Sequence, residues 1–98
     1  MTVSNGNDGE MTSVRDAVFS LLERNGMTTI FGNPGSTEMG FLNDLPDGFQ
    51  YVLGLQEAAV VSMADGYAQA VGRPTMANLH SAPGLCNTMG SIVNARAN

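Results

Sequence analysis

A chain of 98 residues with a net charge of −5 has room for one small domain, and an apolar fraction of 43% is that of a globular chain rather than a disordered one. Its cations are four scattered arginines, Arg15, Arg24, Arg73 and Arg96, which form no patch able to neutralise a phosphate backbone, so nucleic acid is not an expected partner. The single Cys86 excludes an internal disulfide and offers no metal-ligand spacing; it reads as a small apolar side chain in a reducing, cytoplasmic setting.

Residues 1–11 are expected to form a disordered tail, and residues 12–98 the domain. The tail is polar, acidic and rich in Asn and Gly, without the basic start and apolar middle of a signal peptide. No apolar run is long enough to span a bilayer, so no membrane partner is expected. Thr12 or Ser13 then caps a helix whose apolar residues Val14, Ala17, Val18, Leu21 and Leu22 fall on one face. Gly26 stands where a left-handed C-terminal cap is expected.

Thr28 to Phe31 reads as a first strand, stopped by the turn Gly32-Asn33-Pro34-Gly35-Ser36. Thr37 to Leu45 reads as a short helix with Ser36 or Thr37 as its cap and Glu38 in its first turn. Phe49 to Leu55 is the second strand, and Glu57 to about Val71 the second long helix. Gly66 interrupts that helix at a cost of roughly 1 kcal/mol against alanine, which suggests close packing of another backbone. The many alanines make it slim, suited to burial between layers or against a second subunit. Thr75 to Leu79 is the third strand, His80 to Gly84 another turn, and Leu85 to Asn98 a further helix. Helices between strands imply crossovers and a parallel sheet, so the fold class is α/β.

In such a sheet the loops after the strands share one edge, where ligands bind. That edge would carry Asn33 to Ser36, Gln56-Glu57 and His80 to Gly84. Glu57 has apolar residues on both sides, and an acid there needs a specific partner or simply favours a helix start. Ser36 is either a helix cap or a ligand-binding hydroxyl. The glycine-rich turn matches neither the P-loop nor the dinucleotide fingerprint. His80, the only histidine, is either a hydrogen-bonded structural residue or an acid/base group. Ser36, His80 and Glu57 could form a hydrolytic triad, but Ser36 lies in no G-x-S-x-G elbow. One His and one Cys make no metal cluster.

Four stretches carry a family resemblance: Ile30 to Glu38, Leu55-Gln56-Glu57-Ala58, Ala64 to Gln69, and Asn78 to Ala82. From Val14 to Asn94 the chain resembles the pyrimidine-binding domain of thiamine-diphosphate-dependent enzymes, and within them the benzoylformate decarboxylase branch. The resemblance implies a thiamine diphosphate-binding fold, present as its N-terminal portion only, and decarboxylation of a 2-oxo acid. It implies that Glu57 hydrogen-bonds the cofactor's pyrimidine nitrogen and so promotes loss of the thiazolium C2 proton. It also implies that Pro34 and Gly35 lie against the cofactor, that Ser36 contacts the substrate carboxylate and that His80 moves protons. The diphosphate and its magnesium would be held by a Gly-Asp-Gly-containing domain outside this segment. The active site would lie at a subunit interface in a dimer of dimers, and this segment alone would be inactive. Pro83 and Leu85-Cys86 depart from the branch toward acetolactate synthases, which keeps open a carboligase of the acetolactate synthase or benzaldehyde lyase type. A non-catalytic α/β interaction module is the other alternative.

Overall fold

The computed structural model describes residues 2–4 and 11–98, apart from the side chains of residues 2–4, Met11 and Thr37. Thr2–Ser4 (β1) pairs antiparallel with Met11–Ser13 (β2), so these parts of the expected tail form a strand pair; residues 1 and 5–10 lie outside the described residues. Val14–Arg24 follows as helix α1, capped by Ser13, whose hydroxyl accepts the Asp16 N–H at 3.0 Å. At the other end Gly26 takes φ +69°, with Gly26 N–H to Glu23 O at 3.1 Å and Met27 N–H to Leu22 O at 2.8 Å. That pair of bonds closes the helix as a Schellman motif.

Thr29–Gly32 (β3), Gln50–Leu53 (β4) and Met76–Asn78 (β5) form a parallel sheet in the order β4-β3-β5. In register, Ile30 is opposite Tyr51 and Met76, and Phe31 is opposite Val52 and Ala77. Successive side chains of β3 point to opposite faces. Ile30 packs with Phe19 and Leu22 of α1, whereas Phe31 packs with Val60 and Ala64 of the helix Glu57–Val71, α3. The result is three layers with a helix on each face and two apolar clusters, as parallel sheets require.

The expected faces and boundaries shift in instructive ways. Val14 and Leu21 of α1 are exposed, and Phe19 and Leu22 are the buried pair. Phe19 wins the inward position because it stacks on Phe41, with centroids 4.8 Å apart, and meets Phe49 edge-on at 5.0 Å. The helix expected over 37–45 is a 3₁₀ turn, Ser36–Glu38, followed by the single-turn helix α2, Met39–Leu42. Ser36 lies inside that turn instead of capping it; the Thr37 side chain lies outside the described residues. Arg15 explains where α2 stops. Its guanidinium donates to the carbonyls of Phe41 (3.0 Å), Asn43 (2.6 Å) and Asp44 (2.6 Å), groups otherwise left unpaired at a helix end.

Residues 81–84 are not a turn: Ser81–Cys86 is helix α4, and the last helix, α5, spans Met89–Ala97. Between them the fully buried Thr88 hydroxyl donates to Leu85 O at 2.6 Å. Cys86 is exposed. Helix α3 buries Val60, Val61 and Ala64, and α5 packs beside it through Ser91, whose hydroxyl donates to Ala58 O at 3.0 Å. Gly66 faces open space, so the expected close backbone contact is not made there.

These two glycines predict opposite responses. Gly66→Ala should raise stability by about 1 kcal/mol, the helix-propensity difference, since nothing obstructs the methyl group. Gly26→Ala should lower it by about 1–2 kcal/mol, the cost of a left-handed alanine. Urea denaturation with an unchanged m-value measures both.

Candidate functional site

The parallel sheet brings three strand-end loops to one edge. Glu57, the first residue of α3, sits where unpaired backbone N–H groups favour an anion. Its Oε1 accepts a hydrogen bond from Asn33 Nδ2 at 3.2 Å, and Asn33 comes from the turn after β3. On its other side, a β-carbon on Gly84 of α4 would lie 2.9 Å from Glu57 Oε2. Only a residue without a side chain lets α4 approach the carboxylate so closely. Glu57 is half-buried and lines an open cleft of about 310 Å³ together with Leu55, Gln56, Ala58 and Asn87. The apolar flank expected to enclose the acid does not do so, since Leu55 is 84% exposed.

His80 ends the loop after β5 and stands just ahead of α4. Its Nδ1 lies 2.9 Å from Glu38 Oε2, and the same Oε2 accepts the Gly35 N–H at 2.7 Å. The imidazole rests against Gly35, where any side chain would collide with the ring. Ser81, directly after His80, holds a left-handed φ of +57°, a conformation costly for a residue with a β-carbon and common at functional sites. Ser36 is exposed on the turn that carries Pro34 and Gly35, and its hydroxyl is hydrogen-bonded to neither His80 nor Glu57. The acid beside His80 is Glu38 and not Glu57, so the hydrolytic-triad arrangement is not formed.

The structure thus gathers Glu57 with Asn33 and Gly84, and His80 with Gly35 and Glu38. From the sequence, Asn33 is expected only on the strand-end edge and Glu38 only in the first turn of a helix; their contacts with Glu57 and His80 are additional. Glu38 carries a local signal: an acid three residues after Gly35 has the spacing that reaches back to an N-terminal N–H. Its contact with His80 spans 42 residues and has no local signature. Among the described residues no group of three or more His, Cys, Asp or Glu is placed to hold a metal ion. Likewise, no helix is long and apolar enough to cross a membrane.

Residues 12–98 match the family model for the thiamine pyrophosphate enzyme, N-terminal TPP binding domain. The chain belongs to this family. It is 55% identical over 85 residues to benzoylformate decarboxylase of Pseudomonas aeruginosa, covering 87% of this chain and 16% of that protein. The solved thiamine diphosphate-dependent 4-hydroxybenzoylformate decarboxylase of Rhodococcus jostii RHA1 superposes with a TM-score of 0.81 at 52% identity, covering 85% of this chain and 16% of that one. Benzoylformate decarboxylase from Polynucleobacter necessarius gives 0.78 at 49%, covering 82% and 15%. Acetolactate synthase subunits match at 31–38% identity. The chain spans about a sixth of the length of the decarboxylases it resembles.

Across β3, at Gly32, the Tyr51 hydroxyl donates to Asn78 Oδ1 at 3.4 Å. Burial pushes the Tyr51 phenol up to about 12, and the nearby Glu38 carboxylate adds to the rise. The folded state therefore keeps a proton that the unfolded chain releases near pH 10. Between pH 10 and 12 the unfolded state binds fewer protons, so stability should fall as pH rises across that window and be unaffected by this group below it. Tyr51→Phe should flatten the fall, as measured by urea midpoints taken against pH.

Proposed function

We propose that this chain is the N-terminal part of a thiamine-diphosphate-dependent decarboxylase acting on an aromatic 2-oxo acid of the benzoylformate type. The observation that carries the reading is the Glu57 carboxylate at the rim of the strand-end cleft, with His80 on the same sheet edge. The substrate class rests on identities of 55% and 52% to decarboxylases of benzoylformate and 4-hydroxybenzoylformate, against 31–38% for the acetolactate synthase subunits named above. The carboligase alternative therefore has weaker support than the decarboxylase.

The residues fit the heteroaromatic end of the cofactor. A half-buried acid faces a cleft of about 310 Å³, one of its oxygens is held by an amide, and Gly84 lies beside the other. A ring nitrogen is a suitable partner for such a group. Pro34 and Gly35 would lie against the ring, and Asn33 would keep Glu57 oriented. When bound, thiamine diphosphate supplies the nucleophilic carbon and the electron sink through which a 2-oxo acid loses carbon dioxide. Glu57 would hold a proton at the ring nitrogen. Ser36 would donate to the substrate carboxylate, and His80 would move a proton to and from the substrate oxygen. The residues described do not fit the diphosphate and magnesium, which in this reading are held outside this segment, across a subunit interface in a dimer of dimers.

The intact enzyme carrying this domain, given benzoylformate, should release carbon dioxide and benzaldehyde. Acetolactate formed from pyruvate in preference would overturn the substrate class in favour of a carboligase. Glu57→Gln should lower kcat by at least about 100-fold, within the range that positioned proton transfer supplies, and slow C2 proton exchange of the bound cofactor followed by NMR. His80→Ala should lower kcat while cofactor affinity, measured by calorimetry, stays within about twofold of the parent, since acid/base groups contribute to the transition state more than to ground-state binding.

A further inference from the structure

One carboxylate at the site has no role in the function proposed above. Glu38 is nearly buried, with 13% of its side chain accessible, and its Oε2 bridges two groups: the Gly35 N–H at 2.7 Å and His80 Nδ1 at 2.9 Å. Its Oε1 lies 3.1 Å from the same ring nitrogen. The ring cannot slide off this acid toward the turn, because it already rests on the bare backbone of Gly35. A carboxylate can only accept, so Nδ1 must be the nitrogen that carries hydrogen.

We propose that Glu38 is the positioning residue for His80: by taking the Nδ1 proton as a hydrogen bond it places the proton-accepting lone pair on Nε2, the nitrogen that exchanges protons with the substrate. Which ring nitrogen works is set by the bond the other one makes. The same oxygen also ties down Gly35, whose chain neighbour is Ser36. Glu38 therefore sets the imidazole and the serine turn in one geometry, and a shift of either would be felt by both. The part of this inference that concerns turnover rests on the proposed decarboxylase reading; the part that concerns the tautomer does not.

A simple structural cap and a tautomer-setting group respond differently to Glu38→Gln. Glutamine can keep its oxygen at the Oε2 position for the Gly35 N–H, which puts an NH₂ donor at the Oε1 position, 3.1 Å from Nδ1. The turn survives, while the ring nitrogen faces a donor beside an acceptor and loses the carboxylate's preference for protonated Nδ1. His80 is the only histidine of the chain, so a long-range ¹H–¹⁵N correlation spectrum of the histidine-labelled chain reads its tautomer without assignment. The expected result is protonated Nδ1 in the parent and a raised share of the protonated-Nε2 tautomer in Glu38→Gln, with thermal midpoints alike. In the intact enzyme, Glu38→Gln should lower kcat on benzoylformate by about 10- to 100-fold, a part of what general acid–base catalysis supplies, with KM within about twofold. Glu38→Asp should fall between the two. Protonated Nε2 in the parent, or a kcat for Glu38→Gln within twofold of the parent's, overturns the proposal. If the parent enzyme releases no carbon dioxide from any 2-oxo acid, the function proposed above fails, and the spectra still decide the tautomer. Should the chain by itself give no single His80 signal, the kcat comparison alone decides.

Discussion

The parallel pairing of β3 with both β4 and β5 is the constraint from which the site follows. It makes β3 the central strand, buried on both faces, and sets three loops from distant parts of the chain along one edge. Ile30 and Phe31, adjacent in sequence, anchor opposite layers. A slip of one residue would exchange those anchors and carry Asn33 and Gly35 away from Glu57 and His80. Packing of the core and geometry of the cleft are therefore one requirement and not two.

Two acids reach this edge and are held by different means. Glu57 meets a neutral amide, a helix start and open cleft, an arrangement that leaves it able to engage a ligand. Glu38 is turned inward, where a backbone N–H and an imidazole take up its oxygens. Hydrogen bonds to a charged acceptor are among the stronger ones, and leaving such an acceptor without them is expensive in a low-dielectric site. The Asn33 side chain is thus explained by the acid it holds, and the glycines at 35 and 84 by the space the ring and the carboxylate need.

Much of this could be read from the residues alone. The strand order was not written in the chain, but the parallel class, the span of α3 and the meeting of three loops at one edge follow from alternation and helix length, and the structure shows all three. What escaped was non-local. Phe19 displaced Val14 and Leu21 from the core because its partners, Phe41 and Phe49, lie more than twenty residues away. Arg15 looked like one of four scattered charges, yet it ends α2 by gathering three carbonyls. Glu38 looked like a first-turn acid because its second partner is known only once β3 and β5 are neighbours. Local periodicity carries no information about such contacts.

The same geometry bears on Pro83, Leu85 and Cys86, the residues that depart from the decarboxylase branch. All three are exposed within this chain, and of this stretch it is Gly84 that is buried against Glu57. A change at the three exposed positions alters the outer surface of α4 without moving the backbone that faces the acid. By contrast, a β-carbon at 84 would press on the Glu57 carboxylate itself. The departure from the branch thus falls on exposed positions on either side of the glycine that lies against Glu57. On the function proposed above, that leaves the residues assigned to the cofactor intact.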